Sequence, residues 1–196
     1  MFFHGISVKH ARKLNIVFDW GDLSKDRFII GEHGVRKNFA GYGVVRRHIS
    51  QKKVARFKTC LPSSIQPAVA GACFSEIQLL APHLHYKEGC VINFYKHTGG
   101  ETTTFWDGEI EIDSTDILDN GNDYHNVNIK KIQPVESFVA NEGDVWLLNS
   151  KQTHSVSKFE SGLPHDMKFF EAGFNPRFIV QVYMTLPFDE VIKAFD

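Results

Sequence analysis

The chain of 196 residues reads as a mainly β protein, a sandwich or barrel with an α/β flank before it and a short helix after it. Three observations lead there. Short runs of strand composition, bounded by turn residues, recur from Cys73 to Leu186 with no long helix between them. Aromatic content is 13%, with 17 Phe, which suits the half-buried surface of a sheet. The runs also split into an apolar and a polar side under a period of two. In the last run Phe178, Val180, Val182 and Met184 oppose Arg177, Ile179, Gln181 and Tyr183. Polar sides rich in His, Asn, Tyr, Arg and Gln but poor in Lys and Glu suit a ligand cavity better than bulk water. That favours a barrel over a plain sandwich.

Taken in order, residues 1–72 form the flank, 73–186 the β core and 187–196 the closing helix of a single domain. In the flank, Val8–Phe18 reads as a short helix or strand, Asp22–Lys25 as a turn and Arg27–Ile30 as a strand. Arg46–Lys58 carries six basic residues and no acid. Weighed against a nucleic-acid patch, it is read as a solvated face with Ile49, Val54 and Phe57 turned inward. Leu61-Pro62-Ser63-Ser64 signals a helix start, with the helix ending near Gly71. Strands are expected at Phe74–Ala81, Cys90–Lys96, Thr102–Trp106, Glu109–Ile112, Val127–Ile132, Phe138–Ala140, Val145–Asn149 and Arg177–Leu186. Seven acids and no base between Asp107 and Asp123 mark an exposed hairpin or loop inserted into the barrel. Ser157–Pro176 reads as a long loop, and Pro187 opens the C-terminal helix.

Net charge is -1, which gives no global field drawing the protein to nucleic acid or to a membrane surface. Three cysteines without a CxxC pair read as reduced thiols of a cytoplasmic protein. No apolar run approaches membrane-spanning length. Neither a Gly-x-Ser-x-Gly elbow nor a glycine-rich phosphate loop occurs, which leaves serine hydrolase and nucleotide chemistry without support. The expected partners are a small-molecule or peptide substrate and, through paired edge strands, a second copy in a homodimer.

The chemistry concentrates in two stretches. His83-Leu-His85 puts two imidazoles on one face of an extended segment, close enough to share an ion. A third ligand must come from elsewhere, and His154, after Trp146-Leu-Leu-Asn and a polar turn, is the best candidate. Glu88 is a candidate fourth ligand. His97, His125 and His165 are placed in loops.

In that order and spacing the run from Phe74 to Tyr183 resembles the double-stranded β-helix of the Fe(II)- and 2-oxoglutarate-dependent oxygenases. The prolyl- and aspartyl-hydroxylase-like and phage-type members are the most similar. The residues carrying the resemblance are His83, the strand CVINFY at Cys90–Tyr95, ETTTFW at Glu101–Trp106, Gly143-Asp144, His154-Ser-Val and Arg177-Phe-Ile-Val-Gln-Val. The resemblance implies a double-stranded β-helix, that is, a jelly-roll or cupin-like barrel. It implies Fe(II) held by His83, His85 and His154, with 2-oxoglutarate bound through its far carboxylate to Arg177, whose planar fork matches one. Tyr95, Asn93 and Thr104 would add hydrogen bonds, and the reaction would hydroxylate a C–H bond. The family has a carboxylate ligand where this chain has His85. The same residues resemble a cupin, in which His83, His85, Glu88 and His154 hold the metal without 2-oxoglutarate. A third reading, a binding module without catalysis, draws on the missing carboxylate.

Overall fold

The computed structural model describes residues 1–7, 44–77, 80–85, 87–117, 123–127, 131–157 and 177–195. In chain order the strands are β1 (Phe3–Gly5), β2 (Val44–His48), β3 (Val69–Ile77), β4 (Leu80–His85), β5 (Cys90–His97) and β6 (Thr102–Gly108). They continue with β7 (Ile112–Ile117), β8 (Asp123–Val127), β9 (Ile132–Val139), β10 (Val145–Leu148), β11 (His154–Ser157) and β12 (Arg177–Met184). Helix α1 (Gln51–Lys58) precedes β3, and α2 (Phe188–Lys193) comes after β12.

Two six-stranded sheets result, ordered β1-β10-β5-β12-β3-β2 and β7-β8-β4-β11-β6-β9. The pairing is nested: β6 with β9, β5 with β10, β4 with β11 and β3 with β12, all antiparallel. A long hairpin has in effect been rolled up, with alternate pairs falling in opposite sheets. This is the jelly-roll, or double-stranded β-helix, expected from the sequence. β1 and β2 extend the first sheet at its two edges, and the β7–β8 hairpin extends the second by pairing β8 with β4.

The period-two split of β12 decides its two environments. Val180, Val182 and Met184 join Phe74, Ile92, Phe94 and Leu147 on the outer face of the first sheet, under Val54 and Phe57 of α1 and Phe188 and Val191 of α2. Phe57 meets Phe94 edge-on at 5.5 Å between ring centroids. The inward role expected for Ile49, Val54 and Phe57 is what the structure has, with all three buried. The inner faces bury Ile77, Leu80, Tyr95, Phe105, Phe138, Val156 and Ile179 between the sheets.

Several boundaries differ from the sequence reading. The run expected as one strand over Phe74–Ala81 is two, in opposite sheets: with no Gly, Pro or Asn in it, nothing marks the crossing from β3 to β4. The helix expected from Leu61 is instead a turn and one short 3-10 turn at Gln66–Ala68, because β3 already begins at Val69. The helix lies earlier, in the basic stretch. The acidic insert is a strand pair, with β7 beginning where the expected strand at Glu109–Ile112 ends. The strand expected over Val127–Ile132 is the end of β8 and the start of β9, and β9 runs to Val139. His154 opens a strand where the sequence reading has the end of a turn. The elements expected at Val8–Phe18, Asp22–Lys25 and Arg27–Ile30, and all but the first residue of the loop at Ser157–Pro176, lie outside the described residues. Among the described residues no helix is long and apolar enough to cross a membrane.

Candidate metal centre

The site begins with an irregularity in β4. Val156 of β11 pairs with Leu80, and His154 pairs with His83. One residue separates the first members of these pairs and two separate the second, so β4 carries an extra residue, a β-bulge, between Leu80 and His83. A bulge inverts the parity of the residues beyond it. Leu80 and His83 therefore both face the cavity, although strict alternation would put them on opposite sides. Pro82 sits in this bulge, the one strand interior in which a missing N–H does least harm. The segment thus turns both His83 and His85 inward.

The three imidazoles converge. Nitrogens of His83, His85 and His154 lie within 4.8 Å of one another, and all three residues are buried. Ring centroids are 4.4 Å apart for His83 and His154 and 5.3 Å for each pair involving His85. Small ring rotations bring three such nitrogens to the roughly 2.0–2.1 Å of an imidazole–metal bond. The Nδ1 of His154 is 2.9 Å from the carbonyl oxygen of Gln152. A carbonyl only accepts, so Nδ1 carries the proton and Nε2 is left with a lone pair for an ion. This is the arrangement that fixes a metal-ligating tautomer.

Glu88 is buried and does not belong to the three-nitrogen cluster. Its carboxylate lies 3.5 Å from Nδ1 of His85. The local backbone is tied in: the N–H of His85 donates to the Ser150 carbonyl at 2.9 Å, and the Ser150 hydroxyl to the Glu88 carbonyl at 3.2 Å.

Arg177 lines the same cavity as the three histidines and is 3% exposed. Its Nη1 donates to Thr103 Oγ1 at 3.1 Å, and its Cζ stands 5.6 Å from the centre of the Tyr95 ring. Among the described residues its Nε has no hydrogen-bond partner. Asn93 also lines the cavity, and its buried Oδ1 has no partner among the described residues. Tyr95 packs in the inner core against Phe138 and is not among the cavity-lining residues; its buried hydroxyl has no hydrogen-bond partner among the described residues.

Thr104, expected to face the co-substrate, does not. On β6 it pairs with Ser155, and the cavity residue is its neighbour Thr103. In a run of three threonines composition cannot fix the parity; the position opposite Val156, on the His154 side of β11, does. Thr103, Gln181 and Ser150 are the polar cavity residues that the sequence reading did not assign. Gln181 was legible as a polar-face partner of Arg177. His97 lies at the end of β5, 2.6 Å from Glu142. His125 is in β8, and His165 lies outside the described residues.

No protein-family model matches the sequence, and no curated protein matches it. Among solved structures it is similar to that of E. coli ycfD, with a TM-score of 0.45 and 12% identity over 85% of this chain and 39% of that one. It is similar to oxalate decarboxylase from Bacillus subtilis, with a TM-score of 0.34 and 11% identity over 74% of this chain and 26% of that one. Hydroquinone 1,2-dioxygenase PnpCD in complex with Cd2+ and 4-hydroxybenzonitrile gives a TM-score of 0.33 and 11% identity, over 65% of this chain and 69% of that one. The chain thus spans well under half the length of ycfD and of the decarboxylase. The fold assignment rests on the strand order and register of this chain, not on these likenesses.

Proposed function

We propose that the protein is a metal-dependent oxygenase that holds Fe(II) by His83, His85 and His154 and uses 2-oxoglutarate as co-substrate. The observation that carries the reading is a single buried cavity with three converging imidazoles on one sheet and the Arg177 guanidinium on the other. Three neutral nitrogens leave a dication uncompensated, so the site favours anionic ligands in the remaining positions. When bound, ferrous ion and 2-oxoglutarate supply the oxygen activation that oxidises a C–H bond.

The chain's own residues do the positioning. The Gln152 carbonyl holds the His154 tautomer, and Thr103 and the Tyr95 ring hold the Arg177 side chain in place. The Nε–H of Arg177, without a partner among the described residues, is then available to the far carboxylate of the co-substrate. Burial of the whole constellation excludes bulk water, which strengthens each of these interactions.

A second reading rests on Glu88, whose buried carboxylate stands beside His85. There the protein is a cupin-type metalloenzyme without 2-oxoglutarate, with Glu88 available to the ion. Anaerobic titration of the Fe(II) form with 2-oxoglutarate separates the two. The proposed function expects a visible charge-transfer band that disappears in Arg177→Ala. Bound metal with no band transfers support to the second reading. Protein that binds no divalent metal overturns both.

A further inference from the structure

Opposite the histidines, on the inner face of the other sheet, lies a polar group that the metal site does not use. Asn93 of β5 and Gln181 of β12 are direct cross-strand neighbours, and both line the cavity. Gln181 is oriented from behind. Its Oε1 accepts from Ser75 Oγ at 2.8 Å and from Cys73 Sγ at 3.8 Å, and Cys73 Sγ lies 2.9 Å from the Tyr183 hydroxyl. With Oε1 held by β3, the amide nitrogen turns away from Ser75. Among the described residues it makes no hydrogen bond. Beside it, Asn93 Oδ1 is a buried acceptor with no hydrogen-bond partner among the described residues.

A buried acceptor without a donor costs free energy, so a ligand that brings the donor gains a hydrogen bond that the described residues do not supply. 2-Oxoglutarate cannot bring it, because both of its carboxylates and its keto group only accept. The other reactant can bring it.

We infer that Asn93 and Gln181 form a paired amide reader for the substrate, and that the substrate carries an N–H donor next to a carbonyl acceptor. This is a cis amide edge, as in a primary amide or a lactam, with its N–H on Asn93 Oδ1 and its carbonyl on Gln181 Nε2; a trans peptide bond points the two groups in opposite directions. The pairing matches an amide edge and rejects an ester or carboxylate of the same shape, since either would leave Asn93 unsatisfied. The inference adds a substrate class to the oxygenase reading and rests on it for the meaning of "substrate". The recognition itself needs only the cavity.

The test compares 2-pyrrolidinone with γ-butyrolactone, which has nearly the same shape and lacks the N–H. Each is titrated into the whole protein with and without Fe(II) and 2-oxoglutarate under anaerobic conditions. The readout without iron is the side-chain amide ¹H–¹⁵N resonances of Asn93 and Gln181; with iron it is perturbation of the visible band. The expected result is saturable binding of the amide, about tenfold tighter than the ester, as one hydrogen bond to a buried group predicts. Asn93→Asp, which keeps the acceptor, retains the preference; Asn93→Ala and Gln181→Leu lose it. Equal binding of the two probes, no binding of either, or a preference that survives Asn93→Ala overturns the inference. Failure of the oxygenase reading shows separately, as the absence of a 2-oxoglutarate band while the iron-free amide preference persists.

Discussion

His154 shows how little covalent chemistry a site residue needs once its surroundings are fixed. The Gln152 carbonyl two residues back sets its tautomer, and the β11 backbone sets its height opposite His83. Cys90 illustrates the opposite use of burial. Its thiol is fully buried at the start of β5, and desolvation pushes it up from 9.0 to about 12. The folded protein therefore keeps this thiol neutral while an unfolded chain releases the proton above about 9. The stabilisation is fully present below that pH and is lost progressively between roughly pH 9 and 12. Denaturant titrations across that window should show the slope in the native sequence and lose it in Cys90→Ala. Native Cys90 should also resist iodoacetamide at pH 8, and rapid alkylation there would contradict the burial.

At the scale of elements, the bulge in β4 does the most for the site, and it is also what the sequence concealed. Composition gave the strands and the parity rule paired His83 with His85, but neither says which face looks inward. That depends on one extra residue near Pro82, visible only in the register against β11. For the same reason Thr103 could not be told from Thr104. The β3–β4 crossing was equally hidden, because Phe74–Leu80 carries no Gly, Pro or Asn to mark a turn. What was legible had a chemical signature: His-x-His, the distal His154, and a lone Arg on the polar side of the last strand. Gly89, in the turn from β4 to β5, has a different constraint. A Cβ there would come within 2.1 Å of the Leu186 carbonyl oxygen, a backbone atom, and its own N–H donates to the Met184 carbonyl at 2.9 Å. Gly89→Ala should lower stability by about 1–3 kcal/mol, as overpacking does, and thermal melts of the two proteins measure it. An unchanged melting temperature would mean that the C-terminal segment moves freely away from this turn.

For the whole molecule the decisive fact is the nesting of the strand pairs. The innermost pair, β6 with β9, closes over the acidic hairpin, and each pair outside it joins segments further apart in the chain. β4 and β11, which bring the three histidines together, are the third pair outward. Each longer loop costs more entropy to close than the one within it, and long-range pairing is the slow part of folding a β protein. If the pairs close from the inside out, the ligand set is complete only near the end. An ion would then find no site in the early chain and would act chiefly on the finished barrel. Divalent metal should therefore leave the refolding rate nearly unchanged and slow unfolding, since a contact absent from the transition state shows in the unfolding limb alone. Stopped-flow chevrons with iron and with chelator test this, and faster refolding with iron would place the pairing of β4 and β11 early instead. The barrel would then behave as a latch: assembled by its sheets without help, and fastened by its metal from within.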